Sequence, residues 1–338
     1  MKKYHIITYG CQMNKSDSER LAAKMEKKGY RPALKIEQAD LIVINACSVR
    51  QSAINRVYGK INNLCKQPAH NATHSVAGRK KIILTGCILP ADRKKLEPLV
   101  DEIWPFTELN IQPKCQTKNF AFLPIMTGCN NFCSYCAVPY TRGREISRSA
   151  EEIIKEAKRL IKAGYKEIIL LGQNVNSYKS EKTNFPQLLK SIADMPGDFA
   201  LKFITSHPKD LSDDLIKIMA NSEKIAKEIH LPIQSGDNQI LKKMNRGYTT
   251  AHYKNLIKKL RQAIPEIKIS TDIIVGFPSE TKKQFQNTVK LCKAIKFNKA
   301  YIAQYSPRQG TTAAKLPDNI SHQEKKQRWQ ILENFINK

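Results

Sequence analysis

The sequence lacks any long hydrophobic run. None of its apolar stretches approaches the roughly 18 residues that a membrane-spanning helix requires. The start, MKKYHIITYGCQMN, is too polar for the hydrophobic region of a signal peptide. These absences predict a cytoplasmic protein with no membrane partner. Because disulfides do not persist in a reducing compartment, the nine cysteines are more typical of ligands for a metal or an inorganic cluster.

Acidic residues are also scarce. The 338 residues include 57 Lys and Arg but only 30 Asp and Glu, which gives a formal net charge of +27. Such a surplus favours a polyanionic partner, because basic side chains displace the counterions condensed on phosphates. An ordinary solvated surface is the alternative. Hydrophobic residues make up 41% of the chain, which excludes global disorder, and the length suits two domains.

One pattern occurs three times in the first third of the chain: an apolar run reaches a small residue and then a cysteine. The instances are HIITYGC, LIVINAC and KIILTGC, which end at Cys11, Cys47 and Cys87. Continuous apolar runs predict strands buried on both faces of a parallel sheet, and the cysteine spacings of 36 and 40 residues each fit one βαβ unit. Since parallel strands end at the same sheet edge, the three cysteines could converge on one small cluster. Taken singly, each would be a buried core cysteine.

Two polar stretches without periodicity divide the chain. Residues 66–81 are interpreted as a surface loop, and residues 107–119 as the linker between domains. We therefore predict an N-terminal parallel-sheet α/β domain at residues 1–115 and a second domain at residues 119–338.

The second domain alternates apolar runs with helical segments. Six such runs predict a (βα)6 partial TIM barrel, with its chemistry at the C-terminal ends of the strands. The clearest helix follows Ser149, which has capping-box spacing to Glu152, and Gly164 is its expected stop. The predicted strands lie near residues 120–126, 167–172, 201–205, 229–233, 267–275 and 300–305.

The strongest chemical signal is CNNFCSYC, which places Cys129, Cys133 and Cys136 on a loop directly after the first barrel strand. Thiolates are the soft ligands that iron–sulfur clusters require. Three cysteines leave one iron of a [4Fe–4S] cluster without a protein ligand, and that open position can bind a substrate. Structural zinc, the alternative, would need a fourth Cys or His, which the neighbouring sequence does not supply.

This CxxxCxxC loop at the opening of a barrel resembles the radical S-adenosylmethionine superfamily. The longer run GCNNFCSYCAVPYTRGREISR resembles the methylthiotransferase branch, and YGCQMN near the start is similar to members that act on isopentenyl-type adenosines of tRNA. The resemblance covers nearly the whole chain. Further matching motifs are LLGQNVNSY at 170–178, TSHP at 205–208, LPIQSGDNQILKKMNRGY at 231–248, DIIVGFPSET at 272–281 and YSPRQGT at 305–311.

The resemblance implies two [4Fe–4S] clusters and S-adenosylmethionine as cofactors. Cys129, Cys133 and Cys136 would hold the cluster that binds S-adenosylmethionine. The second cluster, which carries or donates sulfur, would be held by Cys11, Cys47 and Cys87.

Six residues would surround the bound S-adenosylmethionine. They are Tyr135 and Gly276 at the adenine, Gln173 and Asn174 at the methionine amino group, and Gln234 and Ser235 at the ribose. For each, a turn residue with local hydrogen bonds is the alternative. Arg142, Arg144 and Arg148 would grip phosphates or the cofactor carboxylate, or belong to a solvated loop.

The implied activity is methylthiolation of C2 of an isopentenyl-type adenosine next to the anticodon of tRNA. One S-adenosylmethionine would be the radical source and a second the methyl donor. Family members acting on threonylcarbamoyl-adenosine in tRNA or on ribosomal protein S12 are alternatives. A non-enzymatic iron–sulfur protein that binds RNA is another, and the motifs GQNVN, QSG and DIIVGFP disfavour it, because an electron carrier needs no cofactor pocket.

The implied partners are the anticodon loop of tRNA and an electron donor such as flavodoxin or ferredoxin, with the chain acting as a monomer. The family usually continues into a C-terminal β-barrel RNA-binding domain, the TRAM domain, which is absent from this sequence. We therefore expect the basic surface to contribute to holding the tRNA.

Overall fold

A computed structural model describes residues 1–66, 80–105, 109, 111–115, 117 and 119–338. Most of the predicted surface loop at 66–81 lies outside the described residues, as does part of the predicted linker at 107–119. The chain divides into two compact units. The first comprises Met1–Lys118 and Ala137–Gly143, and the second comprises Asn119–Cys136 and Arg144–Lys338. The sequence did not predict that Ala137–Gly143 would group with the first unit.

The first unit is built on a five-stranded parallel sheet of order β2-β1-β3-β4-β5. Its strands are β1 Lys3–Thr8, β2 Arg31–Pro32, β3 Leu41–Cys47, β4 Lys81–Cys87 and β5 Glu102–Ile103, and its helices are α1 Gln12–Lys27, α2 Gln51–Lys66, α3 Pro90–Leu96 and α4 Val138–Arg142. Every residue of the central strand β3 is buried, as its continuous apolar run predicted. The predicted parallel-sheet α/β fold is confirmed.

The second unit contains six parallel strands in two three-stranded sheets, of order β12-β9-β6 and β13-β14-β15. A parallel bridge between Leu201 and Ile225 connects β12 to the segment before β13. Two short antiparallel pairs, β7–β8 and β10–β11, are additional. The strands are β6 Phe120–Pro124, β7 Met126–Thr127, β8 Ile146–Ser147, β9 Glu167–Leu171, β10 Lys179–Ser180, β11 Thr183–Asn184, β12 Ala200–Phe203, β13 Glu228–His230, β14 Lys268–Val275 and β15 Lys299–Gln304.

Helices alternate with the six parallel strands, which confirms the predicted (βα)6 partial barrel. They are α5 Ala150–Lys162, α6 Phe185–Ala193, α7 Asp213–Asn221, α8 Asn238–Lys243, α9 Thr250–Ala263, α10 Lys282–Ile295 and α11 His322–Ile336. Helix α5 begins as predicted, since the Ser149 hydroxyl accepts a hydrogen bond from the Glu152 amide. Gly164 follows its end with φ +83°. Among the described residues, no helix combines the length and apolarity needed to cross a membrane.

Candidate functional site

The three cysteines of the first unit lie at the carboxyl edge of its sheet. Cys47 and Cys87 end β3 and β4 and are directly opposite each other in the parallel register. Cys11 is the residue before α1, shortly after β1. Asn14 connects them, because its Oδ1 lies 3.5 Å from the Cys11 Sγ and its Nδ2 lies 3.7 Å from the Cys87 Sγ. The ends of β3 and β4 and the start of α1 therefore lie at one edge of the sheet.

The small residues before the cysteines let neighbouring strands approach. Gly10 has φ +123°, and a Cβ there would lie 2.9 Å from the Cβ of Cys47. Gly86 has φ +106°, and a Cβ there would lie 2.3 Å from the carbonyl oxygen of Ala46. A side chain at either position would therefore displace a cysteine-bearing strand end.

The two buried thiols of this unit interact with each other. A hydrogen bond with Cys87 lowers the pKa of Cys47 to about 7, against the opposing effect of burial. The same hydrogen bond, together with burial, raises the pKa of Cys87. Cys47 therefore loses its proton near neutral pH, and the thiolate is the form that binds a metal.

An arginine from α4 completes this edge. Arg142 donates from Nε to the Cys87 Sγ at 3.0 Å and from Nη2 to the Asp17 Oδ2 at 2.6 Å. The exposed fractions of the Arg142 and Asp17 side chains are 3% and 5%. Arg148 makes a second buried ion pair, with Glu156 at 2.8 Å, while the exposed Arg144 lies over the Phe132 ring at 4.3 Å. Arg142 and Arg148 therefore neutralise buried carboxylates, and neither belongs to a solvated loop.

In the second unit, Cys129, Cys133 and Cys136 lie on the loop that follows β7. Ser134 anchors this loop, since its amide donates to the Met244 carbonyl at 3.0 Å and its hydroxyl to the Lys243 carbonyl at 2.8 Å. Asn245 adds side-chain hydrogen bonds to the carbonyls of Asn131 and Phe132, at 3.3 and 3.0 Å. The turn after α8 thus anchors the cysteine loop.

Arg246, in the same turn, contacts the ligand set itself. Its Nη1 lies 3.3 Å from the Cys133 Sγ and 3.4 Å from the Tyr135 hydroxyl, and its Nη2 donates to the Pro232 carbonyl at 2.9 Å. Asn131 donates to the Cys129 Sγ at 3.5 Å. Burial raises the pKa of Cys129, so a bound metal rather than the protein alone would favour its thiolate.

Both cysteine sets offer soft ligands. Each set supplies three thiols, and thiolates are the ligands that iron–sulfur clusters take. Two all-thiol sets of three therefore fit two such clusters.

Unsatisfied polar atoms are concentrated beyond the ends of the barrel strands, and we call this set the cradle. Buried polar groups normally have partners, so a concentration of exceptions indicates a ligand site. Eight such atoms lie beyond the strand ends of this unit: Gln173 Oε1, Asn174 Oδ1, Asn176 Oδ1 and Nδ2, Ser206 Oγ, His207 Nε2, Gln234 Oε1 and Tyr305 OH. Thr205 and Gln234 also have φ of +76° and +69°, a left-handed conformation that is uncommon for residues other than glycine. The cradle fits a polar cofactor such as S-adenosylmethionine.

The six residues predicted around S-adenosylmethionine differ in their surroundings. Gln173, Asn174 and Gln234 contribute unsatisfied atoms to the cradle. Ser235 instead contacts the Thr288 hydroxyl at 3.4 Å and accepts from the Asp237 amide at 3.3 Å. These local contacts agree with the alternative of a turn residue.

Gly276 and Tyr135 have protein neighbours as well. Gly276 has φ +69°, and a Cβ there would lie 2.4 Å from the Lys325 Cγ, so α11 takes the space beside it. The Tyr135 hydroxyl contacts Arg246. Their contacts with adenine remain predictions.

Sequence reasoning missed Arg246 and the polar atoms at residues 176, 206 and 207. The available signal was their position in the chain. TSHP follows a strand, MNRGY follows a helix, and both lie within the matched motifs. Sequence reasoning named Arg142 but not its partners Asp17 and Cys87. Nothing in the sequence near Arg142 indicates Asp17 or Cys87, which are 125 and 55 residues away.

Comparisons with known proteins agree with this arrangement. The family model described as "Radical SAM superfamily" matches residues 123–292, and that described as "Uncharacterized protein family UPF0004" matches residues 3–104. A relative from Syntrophomonas wolfei is 42% identical over 98% of this chain and 81% of its own. Another, from Thermoanaerobacter sp., is 43% identical over 99% and 78%. Both are called tRNA-2-methylthio-N(6)-dimethylallyladenosine synthase.

Solved structures show the same fold. The radical S-adenosylmethionine methyltransferase TsrM from Kitasatospora setae, with tryptophan substrate and a SAM analog bound, has a TM-score of 0.63 at 11% identity, covering 93% of this chain and 75% of its own. Coproporphyrinogen III oxidase from Escherichia coli has a TM-score of 0.51 at 15% identity, covering 65% and 52%.

The three-cysteine loop on a six-stranded partial barrel defines the class as the radical S-adenosylmethionine enzymes, which use a [4Fe–4S] cluster and S-adenosylmethionine. Within that class, the chain belongs to the methylthiotransferase family of the relatives above.

Proposed function

We propose that this protein methylthiolates C2 of an isopentenyl-type adenosine next to the anticodon of tRNA. The observation that carries the proposal is the identity of 42–43% over 98–99% of the chain to relatives named for that product. Two separate three-cysteine sets support it, because radical generation and sulfur delivery are different tasks. The net charge of +27 suits a tRNA partner.

The barrel residues would bind and orient the radical source. Cys129, Cys133 and Cys136 would hold a cluster whose open iron position receives S-adenosylmethionine. When bound, these two groups supply the radical chemistry needed at an unactivated carbon. Gln173 and Asn174 would accept from the methionine amino group. Four predicted contacts remain. Gln234 would face the bound cofactor and Tyr135 would lie near its adenine, while Ser235 and Gly276 would act through the shape of their turns.

The first unit would deliver the sulfur. Cys11, Cys47 and Cys87 would hold the second cluster at the sheet edge, where the lowered pKa of Cys47 favours its thiolate near neutral pH. A second S-adenosylmethionine would be the methyl donor. The target adenosine has to leave its stack to enter a barrel, which suits an unpaired anticodon loop.

The proposal includes further partners. Reductive cleavage consumes an external electron, so a low-potential donor of the flavodoxin or ferredoxin type is expected. The chain would act as a monomer in the cytoplasm, where tRNA is available.

The two cysteine sets should be separable by experiment. Protein reconstituted anaerobically with iron and sulfide should contain about eight irons, two clusters of four. Replacing Cys129, Cys133 and Cys136 with Ala should leave about four irons and abolish formation of 5′-deoxyadenosine. Replacing Cys11, Cys47 and Cys87 with Ala should also leave about four irons, yet permit 5′-deoxyadenosine formation while blocking the methylthiolated nucleoside.

The matched control is Cys65→Ala, which changes a half-buried cysteine of the first unit outside both sets. It should keep the full iron content and both products. Iron analysis and chromatography of the products supply the readouts. Normal methylthiolated product from the Cys11, Cys47 and Cys87 variant would contradict the sulfur-delivery role, and zinc in place of iron would contradict the whole assignment.

A further inference from the structure

Arg142 occupies an unusual place for a buried arginine. It ends the short helix α4 and lies in Ala137–Gly143, the segment that groups with the first unit. The edge of its guanidinium formed by Nε and Nη2 faces two partners. Nε donates to the Cys87 Sγ at 3.0 Å, and Nη2 donates to the Asp17 carboxylate at 2.6 Å. One rigid planar group therefore connects a carboxylate to a predicted cluster ligand.

Stability alone does not account for this arrangement. Removing two charges from water costs free energy that a buried ion pair often fails to recover, and well-packed apolar residues frequently serve as well. The Arg142 and Asp17 side chains are 3% and 5% exposed, so both bear that cost. A carboxylate commonly fixes the orientation of a group that contacts a metal ligand, and Asp17 is placed to do so.

We infer that Arg142, held in place by Asp17, is a positioning residue for the cluster carried by Cys11, Cys47 and Cys87. The inference rests on the proposed function, which assigns those cysteines as ligands. Hydrogen bonds to ligand sulfur and nearby charge set the reduction potential of such clusters. A cation donating to the Cys87 sulfur stabilises the more negative, reduced state, so it raises the midpoint potential and helps retain the iron.

The test uses the full chain with Cys129, Cys133 and Cys136 replaced by Ala, in which the first-unit cluster is the only one expected. In this background, Arg142→Gln removes the charge and Arg142→Lys keeps it. Because Arg142→Gln removes the ion-pair partner of the buried Asp17 and can unfold the protein, Arg142→Gln with Asp17→Asn removes both charges together. Arg93→Gln changes an exposed arginine of the same unit, six residues after Cys87, and is the matched control.

The readouts are iron content, the rate of iron loss to a chelator and the midpoint potential followed by electron paramagnetic resonance. We expect Arg142→Gln with Asp17→Asn to fold, judged by circular dichroism, and to lose iron roughly tenfold faster. Its reduction equilibrium should shift at least tenfold toward the oxidised cluster, which is about 59 mV for one electron. Arg142→Lys should lie between this variant and the parent, and Arg93→Gln should match the parent.

The outcomes distinguish this inference from the proposed function. A parent background without iron overturns the ligand assignment itself. If the parent holds about four irons but Arg142→Gln with Asp17→Asn has the same midpoint potential and the same rate of iron loss, the role of Arg142 is overturned. In that case the arginine would only neutralise Asp17.

Discussion

At the scale of single residues, burial determines the protonation state of the His207 imidazole. It is 5% exposed, and its Nδ1 accepts a hydrogen bond from the Lys209 amide at 3.3 Å. Burial first, and then the positive charges of Arg246 and Lys209, lower its pKa to about 2. The ring is therefore neutral, and because Nδ1 is the acceptor, the proton lies on Nε2. That N–H faces the cradle as a donor without a protein partner.

This environment predicts a pH-dependent stability. The folded pKa of His207, about 2, lies below the ordinary histidine value of 6.5, so below pH 6.5 the unfolded chain binds a proton that the folded chain does not. The free energy of unfolding should fall by about 1.4 kcal/mol for each pH unit below that value. Urea unfolding at several pH values from neutral down to mildly acid measures the slope. His207→Asn should flatten it, and the exposed control His322→Asn should not; equal slopes for both variants would refute the assignment.

Single residues were predictable from the sequence where the chemistry is local. CNNFCSYC indicated a cluster because all three thiols fall within eight residues. The arginines that contact the thiols were not predictable, since Arg246 lies 113 residues from Cys133 and only the fold brings them together. Asn14 is similar, because its role depends on the register of strands that follow it in the chain.

At the scale of elements, the ends of strands place the functional groups. Burial alternates along β14, and Ile269, Thr271, Ile273 and Val275 are its buried residues. Gly276 follows this strand, and a Cβ there would meet Lys325 of α11. The Lys325 side chain fills that space and is itself fixed, because its Nζ bonds to Asp318 and to the Tyr305 carbonyl. Helix α11 therefore supports the turn that ends β14.

A comparison of two glycines tests this packing. Gly276 and Gly164 have φ of +69° and +83°, but a Cβ at Gly164 would meet nothing within 4 Å. Gly164→Ala should therefore lower the free energy of unfolding by about 1 kcal/mol, the backbone cost alone, and Gly276→Ala by about 2 kcal/mol or more. The excess should largely vanish in a Lys325→Ala background. Equal costs for the two glycines in the wild-type protein, measured by urea unfolding, would contradict the proposed contact.

Elements were predictable where they were long or strongly periodic. All six parallel barrel strands were predicted, with ends displaced by a few residues, because apolar runs between helices are a clear signal. The pairs β7–β8 and β10–β11 were missed, since strands of two residues have no periodicity to read. Helix α4 was missed because its five residues form no amphipathic stripe.

At the scale of the whole molecule, each unit carries its own three-cysteine set, and the two sets differ in surroundings. Cys47 is hydrogen-bonded to Cys87, which accepts from Arg142, whereas Cys133 contacts Arg246 in the unit that contains the cradle. This division suits an enzyme that generates a radical with one set and delivers sulfur with the other. The family relationship extends over both units, since the relatives align with nearly the entire chain.

The measurement that tests this account most directly is mass spectrometry of tRNA nucleosides after an anaerobic reaction. Reconstituted protein is mixed with a reductant, methyl-deuterated S-adenosylmethionine and tRNA that carries isopentenyladenosine without the methylthio group. We predict the 2-methylthio nucleoside with the heavy methyl group, and none from the Cys129, Cys133 and Cys136 variant or from tRNA with unmodified adenosine. Cleavage of S-adenosylmethionine without this nucleoside, or methylthiolation only of threonylcarbamoyl-adenosine, would contradict the proposed function.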